Sequence, residues 1–167
     1  MKTIALFLSI VLLTATKLFS QEENFEDKYD VIDQYDVFVN QIPLVSKRTD
    51  VIKRFGKPEK IKREEGIEGI YWFNYYYKKS TFQIDPVGDF MGFKILDSSF
   101  ILSFRSTKVR IGDSFYILKK IFPKSYKNYT TTKSKYLRVR IKDNDAYVLF
   151  TIASSIIIQV HTWEDYS

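Results

Sequence analysis

The chain has 167 residues, of which 45% are hydrophobic and 17% aromatic, and a formal net charge of +6. That apolar share excludes a disordered chain and suffices for the core of one domain or two small fused halves. There is no cysteine and a single histidine, which excludes disulfides, a cysteine nucleophile and a zinc site built from several His or Cys ligands.

Residues 1–20 begin Met1-Lys2-Thr3, run apolar from Ile4 to Leu13, and end in small and polar residues at Ser20. A positive start, a short apolar run and a small residue before a polar stretch predict a secretory signal peptide. The run falls well short of the ~20 apolar residues needed to span a bilayer. Cleavage is expected after Ser20, with Ala15 as the alternative. The expected product is periplasmic or secreted, without a transmembrane segment and without an N-terminal cysteine to carry lipid.

Residues 21–45 read as an acidic arm, with Glu22, Glu23, Glu26, Asp27, Asp30, Asp33 and Asp36 set against Lys28 alone. Residues 46–167 hold 23 bases against 13 acids. A basic body suits an anionic partner, whether a phosphate-rich surface, an acidic protein or an acidic polysaccharide; ordinary solubility is the plainer reading of the same charge. Nucleic acid is not expected as a partner of an exported protein. Within the arm, Val31, Ile32, Tyr35, Phe38, Val39 and Ile42 fit helical spacing up to Pro43, although Tyr35, Val37 and Val39 also alternate as in a strand.

Next comes a stretch that occurs twice. Ser46 to Pro58 contains Val51, Ile52, Lys53, Arg54 and Phe55; shifted by 66, these fall on Ile117, Leu118, Lys119, Lys120 and Ile121 of the stretch Gly112 to Lys124. Each copy predicts a short amphipathic helix. The first runs from Lys47 to Phe55, capped by Ser46 and stopped by Gly56; the second runs to Phe122, capped by Asp113 or Ser114 and stopped by Pro123. Strands are predicted after the first copy over 59–64, 69–78, 80–84, 90–96 and 99–105, with Asp85 to Asp89 a turn. After the second copy, 125–134 reads as polar and tyrosine-rich, and strands follow over 136–142, 146–152 and 156–163. Leu137, Val139 and Ile141 alternate with Tyr136, Arg138, Arg140 and Lys142, so one face is packed and one is wet. The predicted fold is α+β: a tandem repeat of a short helix and three or four antiparallel strands, over 46–107 and 108–167. Both helices cover one face of a curved sheet.

A short helix ending Phe55-Gly56-Lys57-Pro58, followed by antiparallel strands and occurring twice in an exported chain, resembles the β-lactamase-inhibitor-protein-like fold. It is also similar to the smaller BamE-type outer-membrane assembly module, which has one such unit. The resemblance spans residues of about 42–163. It implies a concave sheet face laid on a protein partner. The second copy reads Phe122-Pro123 where the first has Gly-x-Pro, and no inhibitory residue is matched one by one.

No catalytic constellation emerges. His161 would have to serve any Ser-His-Asp triad, yet it sits on an alternating strand and no Gly-x-Ser-x-Gly stretch exists. Glu64, Glu65, Glu68, Asp85, Asp89 and Asp97 lie in no recognisable paired-carboxylate setting. No metal, cofactor or phosphate-cradling loop is expected. In Tyr71–Tyr77, Trp72, Asn74 and Tyr76 share the wetter face. Either this strand is wholly core, or Trp72 and Tyr76 are exposed and join Arg138, Arg140, Tyr147, His161 and Trp163 in a sheet-borne binding surface. Tyr, Trp and Arg are the residues enriched in binding hot spots, and aromatic faces also stack on sugar rings. The sequence thus predicts a non-enzymatic binding module for a protein or an anionic envelope component, with an envelope accessory or carbohydrate-binding protein as alternatives.

Overall fold

The structure is a computed structural model describing residues 28–66, 69–143 and 145–164. The expected signal peptide and residues 21–27 of the arm lie outside the described residues. In chain order the elements are β1 (Val31–Ile32), a 3-10 turn (Gln34–Asp36), β2 (Val37–Val39), β3 (Ile42–Pro43), helix α1 (Arg48–Phe55), β4 (Lys60–Glu65), β5 (Tyr71–Tyr77), β6 (Ser80–Ile84), β7 (Phe90–Ile95), β8 (Leu102–Phe104) and β9 (Thr107–Val109). Helices α2 (Ile117–Ile121) and α3 (Pro123–Thr132) follow, then β10 (Leu137–Ile141), β11 (Ala146–Ala153) and β12 (Ile156–Glu164).

The fold is α+β and sheet-rich. One sheet has eight strands in the order β1-β10-β11-β12-β7-β6-β5-β4, and a second has four in the order β3-β2-β8-β9. Pairing is antiparallel except between β1 and β10. Two meanders, β4 to β7 and β10 to β12, therefore meet edge to edge where β7 pairs with β12, at Ile95–Val160 and Lys94–His161.

Alternation decides the two faces of the large sheet. Leu137, Val139, Val148, Phe150, Val160, Ile95, Phe93, Phe82, Tyr75 and Tyr77 are buried on one face and join a single apolar core. The small sheet and the helices cover this inner face. Phe55 of α1 packs on Tyr77, Phe82 and Phe100, with ring centroids 5.6, 4.9 and 5.3 Å apart. Phe104 of β8 sits 5.5 Å from Phe150 and 5.3 Å from Phe122, just after α2. The buried Tyr77 hydroxyl donates to the Gly56 carbonyl at 2.9 Å, and burial pushes its pKa up to about 12. Gly56 takes φ +80° as it ends α1, a conformation open to glycine without a Cβ penalty.

Two local expectations are corrected and one unassigned stretch takes a structure. The helix expected over 31–42 is absent: the segment forms β1, the 3-10 turn, β2 and β3. Val37 and Val39 are wholly buried between strands, so the two-residue period prevailed over the helical one. The described part of the arm is consequently built into both sheets. The polar stretch after Pro123 is helix α3. Proline stands at its first position, where the missing N–H costs nothing, and the Ser125 N–H donates to the Asp30 carboxylate at 2.8 Å. In return the Asp30 N–H donates to the Ser125 hydroxyl at 2.8 Å. Thr130, Thr131 and Thr132 donate their hydroxyls to carbonyls three and four residues back. The helix caps also move: Lys47, not Ser46, precedes α1, with its N–H donating to Asp50 Oδ2 at 3.1 Å. Tyr116, not Asp113 or Ser114, precedes α2.

The entries to α1 and α2 make the same hydrogen bonds. The Phe90 N–H donates to the Ser46 carbonyl and the Arg48 N–H to the Gly88 carbonyl. The Ile157 N–H donates to the Asp113 carbonyl and the Phe115 N–H to the Ser155 carbonyl, every residue 67 positions further on. The bridges Lys47–Asp89 and Ser114–Ile156 keep that spacing. Register shifts fall at Gln83/Ile84 and at Thr151/Ile152, on the strands beside β7 and β12. The hairpin of β8 and β9 straddles the expected boundary at 107/108.

Candidate functional site: the outer face of the large sheet

The outer face is defined by register. One row of opposed residues runs across seven strands: Arg138, Leu149, His161, Lys94, Thr81, Tyr76 and Lys60. A neighbouring row holds Arg140, Tyr147 and Trp163 on β10 to β12, and Gly92, Gln83, Asn74 and Lys62 on β7 to β4. Trp72 stands opposite Glu64 on the same face. All seven residues singled out in the sequence therefore share one face, turned away from α1, α2 and the small sheet.

They form two groups. Arg138, Arg140, Tyr147, His161 and Trp163 occupy three adjacent strands. The Tyr147 and Trp163 rings lie 6.3 Å apart, tilted by 35°, and Tyr29 meets Tyr147 edge-on at 6.0 Å. Trp163 is 43% exposed. Arg140 reaches Asp145 at 4.0 Å. Trp72 and Tyr76 belong to β5, three strands from β12 and so about 14 Å from that cluster. Trp72 is half-buried, and its ring packs so near Gly66 that a Cβ there would sit 3.0 Å away. Its indole N–H is buried without an acceptor, as is Asn74 Oδ1 without a donor. Trp72 is thus partly a packing residue of the β4–β5 hairpin.

His161 lies near the centre of the face. Gln159 Nε2 stands 2.9 Å from its Nδ1; with the amide donating, the neutral ring keeps its proton on Nε2. Tyr136 touches its edge at 5.7 Å. Burial, then the charge of Lys94 opposite, holds the His161 pKa below the ordinary imidazole range. Leu149, between Arg138 and His161, is an apolar side chain on the outer face yet only 4% exposed, covered by its long neighbours. Sequence reasoning missed Lys94, Tyr136, Gln159 and Leu149. Lys94 had a legible signal, as the one charge in the run Phe90–Leu96. Gln159 had one too, two positions before His161 on the same strand; for Leu149 and for Tyr136, which alternation had already set on the wet face, contact with His161 depends on which strands become neighbours.

Among the described residues no group of three His, Asp or Glu side chains is placed to hold a metal. No described helix is long and apolar enough to cross a membrane. A depression of about 240 Å³ is lined by Asp30, Ile32, Phe104, Arg105, Lys120 and Phe122 among others; none of the seven residues contributes to it. No family model, curated protein or solved structure matches the chain.

Proposed function

We propose that the protein is an exported, non-enzymatic binding module that engages an acidic partner protein through the outer face of its large sheet. The observation that carries this reading is the register, which brings Trp72, Tyr76, Arg138, Arg140, Tyr147, His161 and Trp163 to one face. Aromatic and arginine side chains gathered on one face are hot-spot chemistry. Lys60, Lys62, Lys94, Arg138 and Arg140 against Glu64 and the Asp145 that pairs with Arg140 leave the face positive, which steers an acidic partner. Catalysis finds no comparable support: the described neighbours of His161 are Gln159, Tyr136, Lys94 and Leu149, with no serine, threonine or carboxylate among them to complete a triad. An anionic envelope glycan held by the same face, in an accessory or carbohydrate-binding role, is the alternative.

We also infer that the chain is a duplicated helix-plus-strands unit of the kind the inhibitor-protein and BamE-type resemblance implies. The repeated hydrogen bonds at the entries to α1 and α2 support this, with a spacing of 67 in place of the 66 read from the helices alone.

Export is checked by N-terminal sequencing of protein from the periplasm or medium, expected to start at Gln21. Binding is checked by retention from an envelope and secreted-protein extract on the immobilised protein, beside a Lys94→Glu/Arg138→Glu/Trp163→Ala variant. All three sites are exposed or half-exposed, so the variant should fold. Retention of a defined acidic protein by the wild type, weakened at least about tenfold in the variant, supports the reading. Equal retention by both sinks it. Retention of anionic glycan alone moves the conclusion to the alternative.

A further inference from the structure

From Ser114 to Lys142 the chain holds nine bases, Lys119, Lys120, Lys124, Lys127, Lys133, Lys135, Arg138, Arg140 and Lys142, and not one acid. The first six belong to the α2–α3 hairpin and its exit, and all six are exposed. The packing of the helices dictates this. Leu118 and Phe122 turn into the core, and Tyr126 and Tyr129 pack against it. Lys124 and Lys127, three positions apart, share the opposite side of α3. Tyr116, 60% exposed, stands at the start of the hairpin beside Phe115, ring centroids 4.5 Å apart.

We propose that this helical hairpin docks on the surface of an anionic lipid bilayer. Three features select that occupant. All six charges are lysines, compact point charges suited to a diffuse layer of headgroups, whereas recognition of a single carboxylate or phosphate favours the arginine fork. The exposed Tyr116 offers an apolar ring with a polar tip, the residue type that settles at a membrane interface. The Thr130, Thr131 and Thr132 hydroxyls are donated to backbone carbonyls, so the donors this surface offers are chiefly the lysine ammonium groups, which suit charge attraction. This surface meets the outer sheet face only at Lys135, whose ammonium lies 5.1 Å from the Tyr136 ring, and it stands whether or not that face binds a protein.

The test is co-sedimentation with vesicles of phosphatidylcholine containing phosphatidylglycerol, beside vesicles of phosphatidylcholine alone. The wild type is compared with Lys119→Gln/Lys120→Gln/Lys127→Gln on the hairpin and with Lys60→Gln/Lys62→Gln/Lys94→Gln on the sheet, which remove equal charge. Binding is expected to the anionic vesicles only, and to fade as the Debye length shrinks from ~10 Å at 0.1 M salt to ~3 Å at 1 M. The hairpin variant should bind on the order of a hundredfold more weakly, about fivefold for each lysine removed. The sheet variant should bind within about threefold of the wild type. Matching melting curves establish that all three are folded. Equal loss in both variants would mean net charge rather than the hairpin, and overturns the proposal. So does equal binding to neutral vesicles, or binding to an acidic polysaccharide with none to vesicles.

Discussion

Lys94 and His161 stand opposite each other at the junction of β7 and β12, 67 positions apart. The same spacing relates the hydrogen bonds at the entries to α1 and α2. This pair joins the two meanders, so the cation of one faces the imidazole of the other. The centre of the outer face is then a place where two like charges would meet.

His161 should therefore titrate below the ordinary value near 6.5, because burial and then Lys94 both disfavour its charged form. It is the only histidine in the chain, so one imidazole proton resonance reports it without assignment. Lys94→Gln should raise the midpoint. The linkage sign follows from the depressed folded value: as pH falls through the unfolded value, the unfolded chain binds a proton the folded one resists, so stability drops. Thermal melts across this range should slope for the wild type and flatten for His161→Gln. A midpoint at or above 6.5, unmoved by Lys94→Gln, would remove the electrostatic account.

Val51 in α1 and Leu118 in α2 also lie 67 positions apart, and both are wholly buried. Each anchors a short helix whose own propensity is too small to hold it. Val51→Ala and Leu118→Ala should each cost about 2–4 kcal/mol in denaturant unfolding, the range for burying and then emptying such a site. The corresponding exposed change, Ile52→Ala, should cost well under about 1 kcal/mol. A large effect at one anchor and none at the other would separate the two halves energetically and count against the duplicated unit.

Gly92 owes its identity to Thr162. Beyond Lys94–His161 the β12 strand leaves the β7 ladder, and the Thr162 hydroxyl takes the Phe93 N–H at 2.9 Å. A Cβ on Gly92 would fall on Thr162 Oγ1 and 3.0 Å from Gln83 Oε1. Gly92→Ala should cost about 2 kcal/mol or more through displaced Thr162 and a lost hydrogen bond. Adding Thr162→Ala should relieve the clash, so the double variant is less destabilised than the sum of the two. Additive effects would mean the two sites do not touch.

The sequence by itself determined the sheet-rich α+β class, the strands from β4 to β7 and from β10 to β12, and the face each residue takes. These are properties of a two-residue period, which a strand keeps wherever it is placed. For the same reason it placed Arg138, Arg140, Tyr147, His161 and Trp163 on the wet faces of their strands, while Trp72 and Tyr76 stayed open between core and surface. Only the tertiary structure decided which strands are neighbours, and so that Trp72 and Tyr76 lie apart from the other five while Lys94 lies beside His161. Strand adjacency is set by long-range hydrogen bonds and core packing, which leave no local signature. The same holds for the arm and for α3. Val31 to Pro43 offered both periods, and burial of Val37 and Val39 between strands settled on the extended one. Ser125 and the three threonines argue against a helix locally, yet Asp30, 95 positions away in the chain, caps it.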